Sequence, residues 1–227
     1  MLTYYRYSLY SQMSSDEDIF KAVEEGNIDK LSAFIDARAD IDVRGQHNLT
    51  PLHRAVACGN KVALEVLLAG KATVYVKDWL NQTPLHFAAD QGDSAAVLIL
   101  VNAKAPVDAR DRSLSTPLHR AAPAGHTAAV QALIEAKATL DIKAQAQSTP
   151  LHRAAKEART AVVQALVDAK ASVEITDVNG ETSLHHASTH GHVDVIRVLL
   201  NSLSPPTTGI TPGITPGVAP VGEAIGT

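Results

Sequence analysis

Pairs of aliphatic residues recur along this chain at one interval. Leu67-Leu68, Leu100-Val101, Leu133-Ile134, Leu166-Val167 and Leu199-Leu200 stand 33 residues apart. Ahead of each pair, in the same register, lies a short mixed motif. Thr-Pro-Leu-His starts at Thr50, Thr83, Thr116 and Thr149, and Thr-Ser-Leu-His at Thr182. Gly59, Gly92, Gly125 and Gly191 keep a third register nine residues after the threonine, with Ala158 breaking the series. Three patterns sharing one period mean internal repetition, each period being one supersecondary unit that buries its apolar face against its neighbours.

Within a unit the pattern predicts a helix, a turn and a second helix. The threonine hydroxyl caps the first helix, and proline fits its first turn, where no amide donor is lost. The glycine permits the left-handed conformation that ends this short helix. The second helix carries apolar residues at helical spacing, such as Val62, Val66 and Leu67, or Val193, Ile196, Val198 and Leu199. An extended stretch such as 72–77 then leads to the next threonine. Pro123 and Ala158, both near the turn between helices, predict local departures from ideal geometry.

On its period and its Thr-Pro-Leu-His signature, the chain resembles the ankyrin repeat family over about residues 16–203. The resemblance implies an all-α solenoid of stacked antiparallel helix pairs with short β-hairpin fingers along one edge. Repeats are expected near 16–44, 45–77, 78–110, 111–143, 144–176 and 177–203. The first unit has Glu17-Asp-Ile-Phe20 where the signature should stand, and the last ends before Pro205-Pro206. Both fit terminal repeats, which must present one face to water. Residues 1–15, rich in Tyr and Ser, and the Pro/Gly/Thr-rich tail 204–227 are expected to be disordered. Ser204-Pro205, Thr211-Pro212 and Thr215-Pro216 in that tail match proline-directed phosphorylation dipeptides, though a plain tail is the expectation.

The resemblance assigns His53, His86, His119, His152 and His185 to a framework role, bonding backbone and the signature threonine. One departure from the family runs through the array. Arg38, Lys71, Lys104, Lys137 and Lys170 occupy the slot after the second helix that usually holds glycine. A left-handed non-glycine residue there costs about 1 kcal/mol, and a cation at a helix C-terminus returns about 0.3–1 kcal/mol. Lineage drift explains that ladder better than anion binding. A second ladder runs through the fingers at Arg44, Lys77, Arg110 and Lys143, with Thr176 breaking it. The slot after the signature histidine holds Arg54, Phe87, Arg120, Arg153 and His186. By resemblance both slots face the concave groove in which ankyrin proteins hold partners. Asp42, Asp108, Asp141 and Glu174, two residues before the finger slot, temper the positive field.

Within the repeats the aromatic residues are Phe20, Phe34, Tyr75, Trp79 and Phe87. The first two match core slots of the first repeat. Trp79 and Phe87 fall in variable slots of one repeat and are flanked by Lys77, Arg110 and Arg112, the composition of a binding hot spot. The alternative is that Trp79 packs on its own finger over Tyr75. His186 and His190 stand four apart on one helix, a spacing that suits two metal ligands. Framework roles for their neighbours and the lack of a nearby cysteine argue against a metal, and none is expected.

Composition narrows the function. Apolar residues make up 45% and charged residues 19%, enough for a packed core, whereas aromatics are only 4%, so the packing must be aliphatic. Cys58 is the single cysteine, which rules out an internal disulfide and a Cys-rich zinc site. The longest apolar run, Ala95 to Val101, is too short for a membrane span, and no secretory leader is expected. Net charge is −4 overall. Residues 16–49 carry nine acids and four bases, and residues 50–200 fourteen acids and fifteen bases. This balance disfavours a nucleic-acid or anionic-lipid binder. No phosphate loop or nucleophile motif is present, so neither enzymatic activity nor a cofactor is expected.

The expected function is a non-catalytic scaffold for protein–protein interaction, monomeric on its own and cytoplasmic, extending to the nucleus. Its partner would be an acidic segment with an apolar anchor. The candidate contacts are Arg44, Arg54, Lys77, Trp79, Phe87, Arg110, Arg112, Arg120, Lys143 and Arg153. The alternative is a substrate-recruiting or regulatory subunit of an enzyme complex such as a ligase.

Overall fold

A computed structural model describes residues 16–203. Both flanks, with the disorder expected of them and the Ser-Pro and Thr-Pro dipeptides, lie outside the described residues. Twelve α-helices follow one another as six pairs: α1 (Asp16–Glu24) with α2 (Ile28–Asp36), α3 (Pro51–Ala57) with α4 (Lys61–Ala69), and α5 (Pro84–Gln91) with α6 (Ser94–Asn102). The array continues with α7 (Pro117–Ala124) and α8 (Thr127–Glu135), α9 (Pro150–Lys156) and α10 (Thr160–Asp168), then α11 (Ser183–Thr189) and α12 (Val193–Leu203). The odd-numbered inner helices pack on one another in sequence, as do the even-numbered outer ones. The core is therefore a continuous slab rather than a centre.

The repeated sequence explains each helix boundary. Thr50, Thr83, Thr116, Thr149 and Thr182 are the N-caps of the inner helices, each in a capping box whose third helical residue is the signature histidine. The inner helices end at left-handed residues: Gly59, Gly92, Gly125 and Gly191 at φ 67, 72, 83 and 71°, and Ala158 at φ 56°. At Gly92 the need is double, because a Cβ there would lie 2.5 Å from the His126 ring. Pro123 sits in the last turn of α7 and leaves the helix end unchanged, with Gly125 as left-handed cap. The departure expected there is absent: a donor missing this near a helix end breaks no later turn.

Leu52, Leu85, Leu118 and Leu151 on the inner helices are fully buried, as is the first residue of each aliphatic pair, Leu67, Leu100, Leu133, Leu166 and Leu199. Each such leucine contributes about 1.5–3 kcal/mol of hydrophobic free energy. Alanines between them (Ala55, Ala88, Ala121, Ala154) are equally buried and let the inner helices approach closely. Val62 and Val193, expected on the apolar face, are instead exposed at 55 and 62%. On the same helices Ala63, Leu64 and Val195 are buried, so the buried stripe begins one or two positions after each valine. The exposed cations Arg38, Lys71, Lys104, Lys137 and Lys170 have φ of 58, 69, 67, 66 and 72°, the left-handed conformation expected of that slot.

The fingers are closed turns, and the described residues contain no β-strand. Each closes on one backbone bond, for example Asp78 N–H to the Gln82 carbonyl and Asp111 N–H to that of Ser115. Adjacent fingers are tied in series. Trp79 donates its amide to the His47 carbonyl, Arg112 to Leu80, Gln145 to Ser113 and Val178 to Ala146, at 2.8–3.0 Å. The acids two residues before the finger slot brace the same edge: Asp42 accepts from Thr73, Asp108 from Thr139 and Asp141 from Ser172. Tyr75 fills this slot where the residue 31 further on, Pro106, has no amide hydrogen to offer.

Candidate partner-binding groove

The fingers stand beside the inner helices along the array. At the N-terminal end a cavity of about 590 Å³ is bounded by Phe20 and Glu24 of α1, Arg44 and Leu49 of the finger, and Arg54 of α3. Along this surface the signature histidines are consumed internally. In His53, His86, His119 and His152, Nδ1 accepts from the amide of the capping threonine. Nε2 donates to a carbonyl of the next finger, Gln82, Ser115, Ser148 or Glu181, at 3.0–3.2 Å. These partners fix the neutral tautomer with its proton on Nε2. Burial pushes His53, His86 and His119 down from the usual value to about 4, with the carbonyl bonds opposing only in part. His152 is lowered for the same reason. His185, in the last of the described helix pairs, keeps its bond to Thr182 and is exposed.

Three of the four finger cations are also engaged. Arg44 donates from Nη1 to the Lys77 carbonyl at 2.8 Å, Lys77 from Nζ to the Arg110 carbonyl at 3.2 Å, and Lys143 from Nζ to the Thr176 carbonyl at 3.0 Å. They staple each finger to the next. Arg110 and Arg112 are exposed, with no side-chain bond recorded among the described residues.

The slot after the histidine has a counterpart that the sequence reading missed, nine residues earlier at the base of the finger: Gly45, Asp78, Asp111, Ala144 and Asp177. The aspartates share one design. Their Oδ1 caps two finger amides: Leu80 and Gln82 on Asp78, Ser113 and Ser115 on Asp111, Asn179 and Glu181 on Asp177. Their Oδ2 is left for the inner helix. Arg120 pairs with Asp111 at 2.5 Å, and His186 with Asp177 at 2.9 Å. Burial pushes Asp111 up, but the Arg120 guanidinium and the Ser115 and Ser113 amides outweigh it and hold the carboxyl below its ordinary value. Asp177 is lowered likewise, with the Glu181 amide and His186 overcoming burial. The recurrence of Asp78, Asp111 and Asp177 at 33 and 66 residues was a signal the sequence offered.

Where the two slots do not match, the groove differs. Phe87 fills the slot that answers to Asp78, and its half-buried ring lies edge-on to His53 at 5.4 Å. Arg54 has Gly45 in its counterpart slot and pairs with Glu24 of the preceding repeat at 3.1 Å. Arg153 has Ala144, and its recorded side-chain bond runs from Nε to the Ser148 hydroxyl at 3.3 Å.

Trp79 and Phe87 lie in different settings. Trp79, 52% exposed at a finger tip, packs against His47 of the preceding finger at 5.0 Å between ring centroids. Leu80 and Leu114, at 36 and 49%, extend this apolar edge. His186 and His190 do not converge: His190 Nδ1 bonds the His186 carbonyl, while His186 Nε2 faces Asp177. Ligand atoms of Asp177, Glu181 and His186 lie within 4.8 Å of one another. Asp111 and Arg120 fill the same two slots one repeat-pair earlier, so this trio is the histidine version of a repeated brace.

Helix pairs stacked in one dimension and tied finger to finger define a helical repeat solenoid. The chain belongs to the ankyrin repeat family: the family model described as ankyrin repeats (3 copies) matches residues 19–111, 74–146 and 118–208. A comparison with curated proteins gave no match. No helix among the described residues is long and apolar enough to cross a membrane.

Proposed function

We propose that this chain is a non-catalytic scaffold that holds an extended partner protein along the inner helices and fingers. The observation carrying this reading is the division of the surface. The polar signature groups are spent on the framework, whereas Trp79, Leu80 and Leu114 at the finger tips and the cations Arg110, Arg112 and Arg153 are left for a ligand. An apolar edge beside unspent cations suits an acidic segment with an apolar anchor. Arg44, Lys77, Lys143, Arg54 and Arg120 then shape the groove rather than grip the partner.

The test is affinity capture with the full chain and with a Trp79→Ala/Phe87→Ala double variant, at low and high salt. A protein retained by the parent, lost by the variant and weakened by salt supports the reading. The same retained set for both forms overturns it.

A further inference from the structure

Of the three arginines in the slot after the signature histidine, two have an acid. Arg54 pairs with Glu24 and Arg120 with Asp111. Arg153 has no carboxylate within ion-pair distance among the described residues, and it is half-buried beside Arg120. The reason lies in one substitution within the repeat, Ala144 where Asp111 stands 33 residues earlier. The closing bond is kept, Ala144 donating its amide to the Ser148 carbonyl at 2.9 Å as Asp111 does to Ser115 at 3.0 Å, but the turn between is wound through two left-handed residues, Ala146 and Gln147, where the Asp111 finger has Leu114 alone. The slot that holds an acid in three fingers thus holds none here, beside a cation that burial and the Arg120 charge disfavour and that Asp111 relieves only in part.

We propose that the Arg153 guanidinium is the receptor for an aspartate or glutamate side chain of the partner, which takes the place that Asp111 fills for Arg120. A planar guanidinium binds a carboxylate through two parallel hydrogen bonds, which fixes orientation as well as attraction. The inference rests on the groove reading above and adds a register to it. Phe87 and Arg153 share a slot two repeats apart, which is about 16–20 Å at ordinary interhelix spacing. An extended segment covers that in about six residues. The partner's acid therefore follows or precedes its apolar anchor by about six positions.

The experiment selects displayed random peptides, long enough to span three repeats, on the full chain. The best peptide is then measured by fluorescence anisotropy against the parent, Ala144→Asp, Arg153→Gln and Trp79→Ala/Phe87→Ala. The expected result is enrichment of Asp or Glu about six residues from a large apolar side chain. Affinity should fall about tenfold in both Ala144→Asp and Arg153→Gln, while both variants keep a cooperative melt. Peptides with no acidic preference, or with full affinity for Ala144→Asp, overturn the inference. If they still lose affinity for the Trp79/Phe87 double variant, the groove reading survives that failure. Peptides indifferent to every variant, or a selection that yields no binder, overturn both.

Discussion

His119 donates from Nε2 to the carbonyl of Ser148, 29 residues further along the chain, while its Nδ1 accepts from the Thr116 amide. A second proton on this ring would have to sit on Nδ1 and face a donor. The same conflict recurs at His53 and His86, so three buried imidazoles stay neutral well below the usual pH.

Stability should therefore fall on mild acidification. The unfolded chain takes up these protons near pH 6.5 and the folded chain only near pH 4, so stability is lost as pH falls through that window. At pH 5 each histidine costs about 2 kcal/mol, and three together rival the whole stability of an ordinary domain. Asp111 and Asp177, whose folded values lie below ordinary ones, contribute stability that goes only at lower pH, below about 4. Urea unfolding at pH 7, 6 and 5 checks this; equal midpoints at all three would contradict it.

The Asp111–Arg120 brace predicts opposite effects at two equivalent positions. Asp111→Ala leaves two finger amides and a guanidinium without their acceptor and should cost about 2 kcal/mol. Ala144→Asp gives Arg153 an acceptor, but in a turn wound through left-handed Ala146 and Gln147 rather than Leu114 alone, so it should gain at most about 1 kcal/mol. Denaturant midpoints of the two variants decide it, and a loss in Ala144→Asp would show that the turn cannot host the acid.

Left-handed residues that lack glycine offer a graded test. Ala158 at φ 56° has no charge to offset its strain, so Ala158→Gly should stabilise by about 1 kcal/mol. Lys104 at φ 67° ends an outer helix, where its charge meets the negative end of the dipole. Lys104→Gly should gain less, or nothing. Chemical denaturation of both variants would reveal the difference, and the reverse ranking would mean the dipole is not what offsets the lysines.

Trp79 should matter for binding and little for folding. Its ring is half in water and rests on His47 alone among the recorded ring contacts, so Trp79→Ala should cost less than about 1 kcal/mol. Leu118→Ala, in the fully buried inner face, should cost about 2–5 kcal/mol. Thermal melts of the two variants separate surface from slab.

Much of this architecture is legible in the chain, because its determinants are local. Thr116, Pro117 and His119 lie within one turn, so the helix start, the capping box and the framework role of the histidine follow from adjacent residues. Glycine at Gly92 and Gly125 and the lysine ladder mark left-handed ends for the same reason. The 33-residue period supplies the stacking, since each unit's apolar stripe needs a neighbour.

Tertiary structure decided which cations are free. Arg54, Arg120 and Arg153 hold one repeat slot, yet Glu24 reaches the first from the preceding repeat, Asp111 the second from the folded-back finger, and Ala144 offers the third no carboxylate. Lys77 likewise spends its charge on a carbonyl 33 residues away. A helix boundary is set by bonds along the chain, whereas an ion pair forms through space between groups that only the packed fold brings within reach.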